Sequence, residues 1–155
     1  MNKINRKVEY ALMALKYMMN KTPGELTAVK ELRDHLGMPF DPTAKVLQSL
    51  TQWGVLKSEQ GAQGGYLIIK NLKKVSFYEL TEAVVGPVEV TKCLKSSGPC
   101  ELIETCNIQS PLSALNDKLV EFYKSLSVYE ILQPAKPGLT SQNLNELAKS
   151  AENWL

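Results

Sequence analysis

The chain has 155 residues, 44% of them hydrophobic and 22% charged, with a formal net charge of +2. That length suits one domain with a core, or a small domain plus an appended element. No run approaches the roughly 20 apolar residues of a membrane span, and the first 20 residues are broken by Glu9 and Lys16, unlike a signal peptide. A cytoplasmic protein with reduced thiols is therefore expected.

The small net charge hides an asymmetry. Residues 1–75 hold 12 Lys and Arg against 6 Asp and Glu, whereas residues 76–155 hold 6 against 10. A basic half of this kind can face an anionic polymer while the acidic half faces something else.

In chain order, Ile4, Val8, Leu12, Leu15 and Met19 fall at helical spacing and predict a first helix ended by Thr22-Pro23-Gly24. A second helix is predicted from Thr27 as N-cap, burying Val29, Leu32 and Leu36 and stopping at Gly37. After Met38-Pro39-Phe40, Asp41 is the expected N-cap of a third helix with Pro42 at its first position, where a missing N–H costs nothing. Its expected buried stripe is Val46, Leu47, Leu50 and Trp53, with Gly54 as the stop. Two short helices joined by a tight turn read as a helix-turn-helix.

The next segment, VLKSEQGAQGGYLIIK, predicts two strands, Val55–Glu59 and Tyr66–Lys70, joined by a loop carrying Gly61, Gly64 and Gly65. A hairpin directly after a helix-turn-helix is the order of a winged helix. Ser76-Phe77-Tyr78-Glu79 has the form of a capping box and opens a short helix ending near Gly86-Pro87. Further on, Ser110-Pro111 is expected to start a long helix. Ile108, Leu112, Leu115, Leu119, Phe122, Leu126 and Tyr129 alternate in steps of four and three, a heptad seam that calls for a partner helix. Pro134 to Gly138 ends it, and Leu144 to Ala151 suggests a weak terminal helix near Trp154.

The fold class that results is mainly α with a small β-hairpin wing. A winged-helix DNA-binding domain spans 1–86, a cysteine loop 87–109, a coiled-coil-like dimerisation helix 110–133 and a linker with a terminal helix 134–155. Enzyme chemistry finds no support. The one histidine, His35, sits alone on a helix, and no phosphate-binding loop is present. The glycines at 61–65 join strand to strand and so lack the helix N-terminus that makes such loops bind phosphate.

All three cysteines, Cys93, Cys100 and Cys106, fall in CLKSSGPCELIETC. The spacing lacks the close pairs and the fourth ligand of a zinc site, and the odd count disfavours a disulfide framework. Gly98 and Pro99 argue for a loop. The residues alone leave two readings open, inert structural thiols and an iron–sulfur cluster completed by a residue from elsewhere.

Over residues 1–133 the sequence resembles the winged-helix iron–sulfur regulator family that includes IscR, NsrR and RirA. The resemblance rests on VEYALMAL in the first helix, the wing EQGAQGGYLIIK, the three-cysteine loop and the long helix, in that order. It implies a homodimeric transcription factor, a repressor, whose [2Fe-2S] or [4Fe-4S] cluster controls binding to double-stranded operator DNA. IscR-like members carry a histidine ligand three positions after the last cysteine, where this chain has Gln109. NsrR-like members take an acidic ligand from the partner's first helix just before its aromatic residue. The corresponding pair here is Glu9-Tyr10, so the resemblance implies Cys93, Cys100, Cys106 and, in trans, Glu9 as ligands, with Glu101 and Glu104 as local rivals. Many family wings carry Arg where this chain has Gln60. Candidate DNA contacts are Lys45 and Gln48 for base edges, Thr43 for a base or phosphate, Gln60 and Gln63 for the minor groove, and Lys3 and Lys7 for phosphates. A cluster-free regulator switched by its thiols and an iron–sulfur carrier or interaction protein are the alternatives.

Overall fold

The computed structural model describes residues 4–89 and 100–134. Helix α1 runs Arg6–Met19, α2 Val29–Leu36 and α3 Phe40–Gln52. Strands β1, Leu56–Glu59, and β2, Gly65–Ile68, follow, then a single 3-10 turn Leu72–Lys74, α4 Phe77–Val85, α5 Gln109–Ser125 and α6 Val128–Leu132.

Helix α1 starts where Asn5 Oδ1 accepts the Lys7 N–H at 2.9 Å, satisfying one of the donors a helix start leaves open. It buries Val8, Ala11, Ala14, Leu15 and Met18. The two alanines let α3 and α4 approach it closely, and Ile4, expected in the apolar stripe, is instead 51% exposed. Helix α2 ends at Gly37 in the left-handed region, φ 66°, where a residue with a Cβ would be strained. Thr27 does not cap α2. Ala28 holds that position without a side-chain bond, because the Thr27 backbone is already engaged. Its N–H donates to Tyr66 O at 3.0 Å and its carbonyl accepts from Tyr66 N–H at 2.9 Å. Leu36 also stays at the surface.

Helix α3 begins two residues earlier than expected, at Phe40 with Pro39 as N-cap, so Asp41 and Pro42 lie in its first turn. Val46, Leu47 and Leu50 are buried as expected, whereas Trp53, its C-cap, is 46% exposed. The hairpin pairs Leu56 with Ile68 through Glu59 with Gly65, antiparallel and without a bulge. Ser76 and Glu79 form the anticipated capping box at the start of α4.

The long C-terminal helix of the sequence reading is two helices. Neither Ser110 nor Pro111 starts α5, whose N-cap is Ile108. It stops at Ser125 because a second capping box, Ser127 with Glu130, opens α6 and turns the chain. The seam is therefore continuous from Leu112 to Phe122, and Tyr129 belongs to another element. Val128 and Leu132 drop into the same core as Val8, Leu15 and Leu80. Short backbone bonds fasten this junction. Phe77 N–H donates to Leu126 O and Val128 N–H to Val75 O, both at 2.8 Å, and Lys16 Nζ donates to Leu132 O at 2.6 Å. The terminal helix expected near residues 144–151 lies outside the described residues.

Candidate nucleic-acid interface and cysteine turn

The first face of interest is the concave surface between α2, α3 and the wing. Its polar lining includes Lys30, Gln48, Gln60 and Tyr66, with Phe40 at one end, around a volume of 580 Å³. Three local causes build it. The αL turn at Gly37 sets α3 across α2. The Thr27–Tyr66 exchange fastens the wing to the chain just before α2. Gly65 permits that contact, since a Cβ there would lie 2.8 Å from Thr27 O.

Lys45 and Gln48 are exposed on α3, and Gln60 and Gln63 are exposed on the wing loop. Lys7 is exposed in the first turn of α1, and Lys3 lies outside the described residues. Thr43 is a correction. It is 1% exposed, and its hydroxyl faces the interior without a hydrogen-bond partner among the described residues, so it cannot reach DNA from this position. The apolar pattern around it hid the change, because Thr43 occupies a core site on the same side as Val46, Leu47 and Leu50. Phe40, 47% exposed at the leading end of α3, was read from sequence as part of a link. Across Pro39 from it, Met38 is buried in the core, so the apolar pair flanking the proline divides between interior and surface.

A buried-edge network holds α2 against α1. Tyr17 hydroxyl donates to Glu31 Oε1 at 2.7 Å, and Lys21 Nζ lies 2.8 Å from the same oxygen. Burial pushes the Glu31 carboxyl up, but the hydrogen bonds from Lys21 and Tyr17 outweigh it and hold it below the usual carboxylate range. The hydrogen bond to Glu31 in turn raises the Tyr17 hydroxyl. The exposed His35 ring lies 5.8 Å from the Tyr17 ring, tilted by 39°.

The second face is the turn ahead of α5. Cys100 and Cys106 are free thiols, each partly exposed. Ile103 N–H donates to Cys100 O at 3.1 Å, which folds the intervening residues into a turn. Cys93 lies outside the described residues. Thiolate is the donor that iron–sulfur clusters take, so the chemistry of these sulfurs fits such a group. Among the described residues no three His, Cys, Asp or Glu side chains gather into a metal site. Glu9 lies on α1 and pairs with Arg6 at 2.8 Å, both side chains open to solvent at 40% and 74%. The local rivals Glu101 and Glu104 are exposed.

Helix α5 has no buried residue. Ile108, Leu115 and Phe122 are 52%, 53% and 56% exposed along one side, while Tyr123 on another packs 4.8 Å from the Phe77 ring. No helix among the described residues is long and apolar enough to cross a membrane.

A helix-turn-helix followed by a two-stranded wing, with a cysteine turn leading into an unburied helix, defines a winged-helix regulator rather than an enzyme. The chain belongs to the Rrf2 family, described as iron-dependent transcriptional regulators, whose model matches residues 4–134. An rrf2-like HTH-type protein of Rhodobacter capsulatus is 28% identical, over 86% of this chain and 95% of its own length. The HTH-type transcriptional repressor NsrR of Streptomyces coelicolor is 27% identical, over 78% and 82%. In fold the chain is similar to CymR, the global cysteine regulator of B. subtilis, with a TM-score of 0.64 at 19% identity, covering 85% of this chain and 97% of that one.

Proposed function

We propose that this regulator is a homodimeric cytoplasmic repressor whose operator binding is set by an iron–sulfur cluster held on Cys93, Cys100 and Cys106. The observation that carries the reading is a juxtaposition. Two unpaired thiols lie on the turn that runs directly into α5, and α5 leaves its apolar side uncovered in the single chain. An uncovered heptad seam is what a second copy would cover, and a dimer supplies the two heads that duplex half-sites about 34 Å apart require.

Bound there, a [2Fe-2S] or [4Fe-4S] cluster would supply a change of charge and coordination in response to iron supply, nitric oxide or redox state. The protein's own part is transmission. Cys106 precedes the start of α5 by three residues, and α5 is tied to the DNA-facing domain through Phe77–Tyr123 packing, the Ser76–Ser127 bridge and the buried side chains of α6. A shift at the thiol turn therefore moves α5 against α4, on which it packs. Coupling of ~1–3 kcal/mol suffices for a five- to 150-fold change in affinity. The fourth ligand in this reading would be Glu9 of the partner subunit, whose carboxylate is otherwise paired with Arg6. On the DNA side, Lys45 and Gln48 read bases, Gln60 and Gln63 approach the minor groove, and Lys3 and Lys7 meet phosphates.

The test is anaerobic absorption together with the intact mass of the dimer. A visible cluster band and a dimer mass increased by iron and sulfide are expected. A colourless, iron-free dimer that still binds its operator and responds to thiol oxidants would replace the cluster with a thiol switch.

A further inference from the structure

Phe40 exposes nearly half its surface, yet it heads the helix whose N-terminal residues face base edges in helix-turn-helix proteins. At 47% exposure the ring keeps one side free for a partner. Its surroundings are specific. It shares one concave surface with Gln48, Lys30, Gln60 and Tyr66. Along α3, Phe40, Ala44 and Gln48 follow at four-residue steps, so they form a stripe turned only about 40° per step and about 12 Å long. Phe40 is exposed, Ala44 half-buried and Gln48 exposed. The stripe is thus apolar at its leading end and polar at its trailing end.

The major groove offers one apolar feature, the 5-methyl group of thymine, and Phe and Ala are side chains that contact it. We propose that Phe40, with Ala44 behind it, is a specificity residue that packs on a thymine methyl in each half-site, while Gln48 and Lys45 carry the hydrogen-bonded readout. The inference rests on α3 being the reading helix. It adds a preference no hydrogen bond supplies, for thymine over cytosine at the position under Phe40. Burying one methyl group is worth about fourfold in affinity, hence about fifteenfold for two half-sites.

The experiment separates the methyl from every other feature of the base. Full-length protein, both as isolated anaerobically and iron-depleted, selects its preferred duplex from a random pool. That duplex is then made with each symmetric pair of thymines in turn replaced by deoxyuridine, which removes the methyls and keeps the hydrogen-bonding edges. Wild type should lose about fifteenfold when one symmetric pair of thymines is replaced. Phe40→Ala should bind the thymine duplex correspondingly more weakly and be indifferent to that replacement, with an unchanged melting temperature. Lys45→Ala should remain sensitive to it. A wild type indifferent to every replacement, or a Phe40→Ala variant as sensitive as wild type, would overturn the contact. Should Phe40→Ala melt early, Phe40→Gln supplies the same comparison with a longer polar side chain. Wild-type protein that selects no duplex in either form would overturn the assignment of α3 as the reading helix, and the contact with it.

Discussion

Thr27 and Tyr66 exchange both backbone hydrogen bonds, at 3.0 and 2.9 Å, and so bind the wing to the residue that precedes α2. This one bridge makes the hairpin part of the reading surface rather than a free flap. It depends on Gly65, whose absent Cβ leaves room for the Thr27 carbonyl. Gly65→Ala should destabilise the fold by about 1–3 kcal/mol, the usual cost of overpacking a tight contact. It should also weaken operator binding by releasing the wing. Thermal melting and DNA titration check both. An unchanged melting temperature would mean the wing yields without cost.

Thr43 carries a buried hydroxyl with no partner among the described residues. Thr43→Val keeps the shape and removes that group, so stability should rise by about 1 kcal/mol. For a chain of this size that is about 2–4 °C in melting temperature. Operator affinity should be unchanged, in contrast to Lys45→Ala and Gln48→Ala, each expected to lose about 1–3 kcal/mol on the operator. Equal losses on random DNA would assign those two residues to phosphate instead.

The apolar side of α5 predicts the oligomeric state. Leu115 is 53% exposed in the single chain, so Leu115→Asp leaves the fold of each subunit intact. It should nevertheless place a charge in the dimer seam and give monomers in sedimentation, with weakened operator binding. A variant that sediments as a full dimer would move the interface elsewhere.

Acid should loosen the start of α4. Glu79 accepts the Ser76 N–H at 2.7 Å, and this backbone bond holds its carboxyl below the usual range, against burial and with help from Lys70. Native protein then binds fewer protons than unfolded chain in this range. The contribution is present above the ordinary carboxylate value of about 4.3 and is lost as pH falls through the lower native one. Glu31 acts in the same direction. Glu79→Gln keeps a capping partner but not the ionisation, so its stability should fall less steeply below about pH 4 in a denaturant series.

Ligation in trans has a test in mixed dimers. Replacing any one of Cys93, Cys100 or Cys106 by Ala should abolish stable cluster binding. Glu9→Ala should leave a cluster that assembles but is lost faster, because an oxygen ligand holds iron less tightly than sulfur and water can take its place. A dimer pairing a Glu9→Ala subunit with one lacking all three cysteines keeps one complete site if the carboxylate crosses between subunits. Absence of a wild-type-like spectrum in that split dimer would refute the crossing.

The winged helix and the order of its elements were legible from local sequence. Apolar residues at helical spacing, Gly37 as a stop, the glycine-rich loop between two strand segments and the Ser76–Glu79 box are local signals, and each rests on interactions within a few residues. Tertiary structure decided what local signals cannot see. Thr27 looks like a cap until Tyr66, 39 positions away, occupies its backbone. Thr43 looks like a surface hydroxyl until the packing of α3 turns it inward, and Phe40 looks like linker until the same packing leaves it at the surface. The heptad spacing runs through Tyr129 in sequence, and this stronger periodicity masks the Ser127–Glu130 box, itself local. Breaking the helix there allows Val128 and Leu132 to enter the core. Burial of those two side chains is worth several kcal/mol, more than the extra turn of helix they interrupt.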